Sequence, residues 1–154
     1  MVKLQLSKLF RSTAGGSLKC TDYSKSEIDY INTPSLKPLE MRPEDFSSKA
    51  AVDDYGVAID KYKSLISEGH VLLIAKLNDI PPPAARALHA ICDAHNPIVN
   101  KVVIFLILEV STLEGKPILI AENTLLNMWK RKIKDPELFP LITRITDQVV
   151  VVKR

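Results

Sequence analysis

Cysteine, histidine, glycine and aromatic residues are all scarce in this 154-residue chain, and each scarcity excludes something. Two cysteines, Cys20 and Cys92, are too few and too far apart for the disulfide framework of a small secreted domain, so an intracellular, cytoplasmic setting is expected. Five glycines form no phosphate-cradling loop, no Gly-x-Ser-x-Gly nucleophile elbow occurs, and the His-x-Glu spacing of zinc deaminases is missing. Long apolar runs are missing too. The longest, VVIFLILEV at residues 102 to 110, contains Glu109 and falls far short of the ~20 residues that cross a bilayer as a helix. At the N-terminus, Lys3, Gln5, Ser7 and Lys8 interrupt what would have to be the apolar core of a signal peptide. The expectation is a protein that is soluble or at most attached to a membrane surface.

What is present is a core and an uneven charge. With 46% apolar residues, the chain suffices for one domain that buries roughly two-thirds of its unfolded surface. The net charge of +3 hides its distribution. Residues 1 to 20 carry Lys3, Lys8, Arg11 and Lys19 and no acid, and residues 124 to 154 carry seven basic side chains against three acidic ones, which leaves the middle acidic. Basic ends suit contact with nucleic acid or an anionic membrane, and they suit equally a basic end docking on the acidic face of another copy.

Residues 1 to 46 are expected as a basic N-terminal arm and a proline-bearing linker, because Gly15-Gly16, several Ser and Thr, Pro34, Pro38 and Pro43 appear without a steady apolar period. Within it, Leu6, Leu9 and Phe10 could insert in a headgroup region while Lys3, Lys8 and Arg11 touch phosphates; alternatively Leu4 and Leu6 alternate as a strand would, which could add the segment to a sheet of this copy or the next, and a disordered tail is the third reading. Residues 47 to 154 are expected as an α+β domain. Val52, Tyr55, Ile59, Tyr62 and Ile66 recur every three or four residues, which predicts a helix over 47–69 with Ser47 or Ser48 at its cap. A strand over 70–77 and a helix over 82–95 follow, the latter opening on prolines and closing at Asn96-Pro97. KVVIFLILEV and PILIAEN then read as a hairpin turning at Gly115, and the lack of alternation in its first strand predicts that both of its faces are covered, by helices or by another subunit. Two short helices, TLLNMWKRKIKD and PELFPLITRI, the second limited or bent by Pro140, and a final strand QVVVVKR complete the chain. The fold class expected is therefore α+β: a single compact domain with helices packed on a small mixed or antiparallel sheet, preceded by a partly ordered N-terminal arm.

Three groups of side chains carry possible chemistry. His89, Cys92, Asp93 and His95 fall within seven residues; at helical spacing His89 and Asp93 share a face, which permits a two-ligand metal site. Structural zinc needs four ligands and catalytic zinc three plus water, so His89, Asp93 and His95 are weak candidates, and the helix end alone explains them through its dipole. Glu109, Glu114 and Lys116, with Asp93 upstream, loosely match the acids and lysine of a metal-dependent nuclease, but Glu114 and Lys116 fall in the turn. The third group, NMWKRKIK at 127 to 134, sets Trp129 beside Lys130, Arg131, Lys132 and Lys134. Cations neutralise phosphates and an indole stacks on bases or sits at headgroup depth, although Leu125, Leu126, Trp129 and Ile133 also form one stripe that would turn the ring inward.

The plan of a short basic arm, a proline-bearing linker and one compact domain without catalytic motifs resembles that of small matrix and other structural proteins of RNA viruses. The basic ends and acidic middle lead to the expectation of a non-enzymatic structural or interaction protein, without a cofactor, that forms homo-oligomers and meets RNA or an anionic membrane through Lys3, Lys8, Arg11, Trp129, Lys130, Arg131, Lys132 and Lys134. The alternative is a metal-dependent nuclease or hydrolase using His89, Asp93, His95, Glu109 or Glu114.

Overall fold

The fold, seen in a computed structural model, is described for residues 2–9, 38–66, 71–93, 95–99 and 102–152. Five strands form one mixed sheet: β1 (Val2–Leu9), β2 (Leu39–Glu40), β3 (Val71–Ile74), β4 (Val103–Val110) and β5 (Gln148–Val152). Their order is β2-β3-β4-β1-β5. Strands β2, β3 and β4 run parallel, and β1 is antiparallel to both β4 and β5. The alternation of Leu4 and Leu6 is thus realised within this copy, by a strand lying inside the sheet between β4 and β5. Residues 10–37, the larger part of the expected arm, lie outside the described residues.

Helices pack the sheet with a single hydrophobic core. They are α1 (Pro43–Ser47), α2 (Lys49–Asp53), α3 (Gly56–Leu65), α4 (Pro82–Ala85), α5 (Ala87–Ile91), α6 (Pro117–Trp129) and α7 (Asp135–Ile145), with a 3₁₀ turn at Leu77–Asp79. Leu4 and Leu6 of β1, Leu72 and Ile74 of β3, and Ile104, Leu106 and Leu108 of β4 are at most 1% exposed and join Trp129, Leu138, Leu141 and Ile145 in that core. Tyr62 belongs to it as well; burial pushes its phenol well above the ordinary tyrosine range, and the neighbouring Cys92 adds to the shift.

The register shows what lies on the other side of the sheet. Gln5 pairs with Ile107 and Val150, Lys3 with Glu109 and Val152, Leu73 with Phe105, and Val71 with Val103. Directly paired residues share a face, so these residues line the face opposite to Leu4, Leu6 and Leu106. Val71, Leu73, Val103, Phe105 and Ile107 are only partly buried, and none of them packs against the core.

Four elements differ from the expectations. PILIAEN is not a strand but the first half of α6. Gly115 does take the left-handed conformation the turn requires, at φ +113°, but Pro117 then sits in the first turn of a helix, and Ala121, Leu125 and Trp129 bury one stripe at four-residue spacing. That period spans the boundary at which the segment divides into PILIAEN and TLLNMW. The helix expected over 47–69 is interrupted: Ser48 caps α2 by accepting from the Ala51 N–H at 3.1 Å, but Asp54 is extended and its Oδ1 accepts from the Gly56 N–H at 2.8 Å. A Cβ at Gly56 would lie 2.9 Å from that oxygen, so a larger residue there would have to displace the Asp54 carboxylate from this bond. The helix expected over 82–95 is two short helices that end at Ile91, because the Asp93 carboxylate accepts from the backbone N–H groups of His95 and Asn96 and closes a turn. The helix expected to carry the basic cluster stops at Trp129, just before it. Pro140, in contrast, sits inside α7 without ending it. No helix among the described residues is long and apolar enough to cross a membrane.

Candidate anion-binding ridge

The turn between α6 and α7 is built around one carbonyl. Lys130 caps α6 by donating its N–H to the Leu126 carbonyl at 2.9 Å, and the N–H groups of Lys132 and Ile133 both donate to the Trp129 carbonyl at 2.9 Å. Trp129 is 0% and Ile133 2% exposed, so two apolar anchors pin the turn to the core from either side. Between and beside them Lys130, Arg131, Lys132 and Lys134 are all exposed. Trp129 is therefore a core residue and not a stacking platform: the stripe it shares with Leu125 turns the indole inward. Its Nε1–H meets no acceptor among the described residues, and packing alone holds the ring.

The ridge cations suit their place locally and also remain available. They follow the C-terminal end of α6, whose carbonyls favour positive charge, and Asp135 and Glu137 occupy the first turn of α7, whose N–H groups favour negative charge. Lys130 Nζ donates to the neutral Asn127 Oδ1 at 3.0 Å. Among the described residues no carboxylate forms an ion pair with Lys130, Arg131, Lys132 or Lys134; the pairs that do form are Lys3–Glu109, Lys61–Asp45, Arg86–Glu137 and Arg144–Asp93. Lys3 is thus already matched, 3.4 Å from Glu109 across the β1–β4 pair. The side chain of Lys8, and Arg11 altogether, lie outside the described residues.

The histidine cluster has a different use. His89 Nε2 donates to the Glu137 carbonyl at 3.0 Å, and Arg144 Nη1 lies 3.1 Å from His89 Nδ1 and donates to the His89 carbonyl at 2.8 Å. A guanidinium only donates, so Nδ1 accepts and Nε2 carries the proton, and neither nitrogen is left for a metal. Arg144 also stands 3.6 Å from Asp93, and Arg86 Nε lies 2.9 Å from Glu137 Oε2, close enough for an ion pair but without the alignment of a hydrogen bond. The Asp93 carboxyl is held below the ordinary range chiefly by the His95 N–H; burial opposes this as the next largest effect, and the Asn96 N–H and the charges of Arg144 and His95 add smaller lowering contributions. His95 is exposed, Glu109 faces Lys3 on the sheet, and Glu114 is exposed beyond β4. Among the described residues no three His, Cys, Asp or Glu side chains are grouped so as to hold a metal ion. These contacts clamp α5 to α7 and frame an open groove of about 410 Å³ lined by Tyr55, Arg86, His89, Ala90 and Glu137. Arg86, Glu137 and Arg144 escaped the sequence reading because their partners lie about fifty residues away and no short spacing signals them.

No family model matches the chain, and no solved structure does. The chain is similar to the replicase polyprotein 1ab of Alphamesonivirus 1 (isolate Aedes harrisoni/Cote d'Ivoire/C79/2004), with 29% identity over 126 residues. The match covers 72% of this chain and 2% of the polyprotein.

Proposed function

We propose that this protein is a non-enzymatic interaction protein that binds an anionic polymer through the ridge at residues 130–134 and multiplies those contacts by self-association, in the manner expected of a small matrix-like protein. One observation carries the reading: four exposed cations within five residues, on a turn fixed by Trp129 and Ile133, with no carboxylate paired to them among the described residues. The two buried anchors order the backbone that presents these cations, and each phosphate they neutralise releases a counterion. Of the two anionic surfaces, the likeness to a replicase favours nucleic acid, since a replicase by its name handles nucleic acid.

The test is single-stranded RNA binding across a salt series with the full chain and with Arg131→Glu/Lys132→Glu. The variant should bind more than about tenfold more weakly, and its log–log salt slope should be shallower by at least ~1, since single-strand contacts contribute about 0.7 each. Its stability should fall by no more than about 1–2 kcal/mol, because exposed charges contribute little to folding beyond their interaction with the carbonyl end of α6. Equal binding by parent and variant at every salt concentration overturns the ridge as the site. Binding of acidic vesicles but not RNA, with the same dependence on Arg131 and Lys132, assigns the ridge to lipid instead.

A further inference from the structure

We infer that the second face of the sheet is the surface through which two copies of this chain associate, packing sheet against sheet. The inference rests on the self-association in the reading above and names its interface. Strand β4 is apolar on both sides, a pattern that requires cover on both. The described helices and the single core they form with the sheet account for one side only. On the other, Leu73, Val103, Phe105 and Ile107 are partly exposed and the flanking Val150 and Val152 are 52% and 37% exposed.

Size, chemistry and symmetry favour a second copy as the occupant. Five strands ~4.8 Å apart, the longest of eight residues at ~3.4 Å each, make a face of roughly 450–600 Å² once the shorter flanking strands are allowed for. Two such faces bury roughly 900–1,200 Å², around the ~1,000 Å² at which specific dimers begin, and a face of this size is at the upper end of what a single protein exposes, where such patches are often functional. Few polar groups on the face oppose burial: Lys3 and Glu109 neutralise each other, Glu40, paired with Leu73, is exposed on the edge strand β2 and stays in water at the rim, and Gln5, beside Ile107 and Val150, has an amide that both donates and accepts and so can pair with its own copy across a two-fold axis. Branched and aromatic side chains on two twisted sheets interdigitate at ~10 Å separation with strands about 30° apart. The face carries no surplus positive charge, which sets it apart from the anion-binding ridge.

Sedimentation equilibrium of the full chain between about 1 and 100 µM, a range that brackets a micromolar dimer, gives the decisive measurement. The mass should rise with concentration from 17.2 kDa toward twice that value. Phe105→Lys should weaken the dimer at least ~100-fold, since a charge is stranded in the interface, with circular dichroism unchanged. Ile107→Thr, a milder change on the same face, should weaken it about tenfold and covers the case in which Phe105→Lys fails to fold. A dimer that survives both substitutions overturns this interface while leaving self-association and RNA binding intact. A parent that is monomeric throughout overturns both the interface and self-association; if Phe105→Lys then also lowers the melting temperature sharply, the cover is supplied by the chain's own residues 10–37. RNA binding by the ridge is measured separately and does not depend on any of these outcomes.

Discussion

Strand β4 presents nearly the same chemistry to two different surroundings. Ile104, Leu106 and Leu108 lie under the helices and are at most 1% exposed, while Val103, Phe105 and Ile107, each one position away, remain partly exposed. A strand shows alternate residues to opposite faces, so one step along the chain separates a filled core from an unfilled surface. Hydrophobicity states that cover is needed and does not state where it comes from. Here the helices of the described chain serve one face, and the other retains its apolar surface.

The sharpest way to break this comparison is a matched pair of truncations. Leu106→Ala should cost about 2–5 kcal/mol in chemical denaturation, because a side chain fully enclosed by the core leaves a cavity that collapses only in part. Ile107→Ala should cost less than about half as much at low protein concentration, because its side chain is already in partial contact with water. Equal losses at the two positions would show that both faces are covered within a single chain.

A smaller effect is expected where the two faces meet the end of a strand. Strand β3 stops at Ile74, but Asn78 takes its place beside β4: its Nδ2 donates to the Glu109 carbonyl at 2.9 Å and its Oδ1 accepts from the Glu109 N–H at 2.8 Å. One side chain thus replaces a rung of the sheet. Asn78→Ala should cost about 1–3 kcal/mol, because it leaves a partly buried donor and acceptor unpaired. A loss no larger than that of an ordinary surface substitution would mean that water supplies both bonds.

Strands β3, β4 and β5 were legible in the sequence, β1 was one of several readings of its segment, β2 lay unread within the expected linker, and PILIAEN was read as a strand it does not form. The period of two at Leu4 and Leu6 and the unbroken run of β4 are local patterns, so they could be read without knowing the partner strands. The boundary between turn and helix after Gly115 could not, because Ile118 to Ala121 satisfy a strand as well as a helix until Leu125 and Trp129 extend the four-residue spacing. The ridge cations were visible as composition, but the inward turn of Trp129, which takes the indole off the surface, was left open by it. The clamp of His89 by Arg144 and Glu137 was invisible, since tertiary contact alone brings α5 and α7 together. The metal spacing around His89 presumed one continuous helix, and the Asx turn at Asp93 ends it first.

The smallest expected effect is also the one that reports on the second face most directly. Lys3 and Glu109 sit opposite each other across β1 and β4, 3.4 Å apart, with side chains 41% and 31% exposed. Directly opposed charges on neighbouring strands couple by about 0.2–1 kcal/mol, and water and salt screen a pair exposed to that extent toward the lower end. In a double-mutant cycle of Lys3→Ala and Glu109→Ala at protein concentrations below association, the coupling should therefore be a few tenths of a kcal/mol and should fall further as salt rises. Above the association range the same cycle samples a face shielded from solvent, where the pair is screened less, so the coupling should grow and lose much of its salt dependence. A coupling that is identical at both concentrations would place Lys3 and Glu109 in water in every state of the protein and would confine any contact between copies to the part of the sheet beyond them.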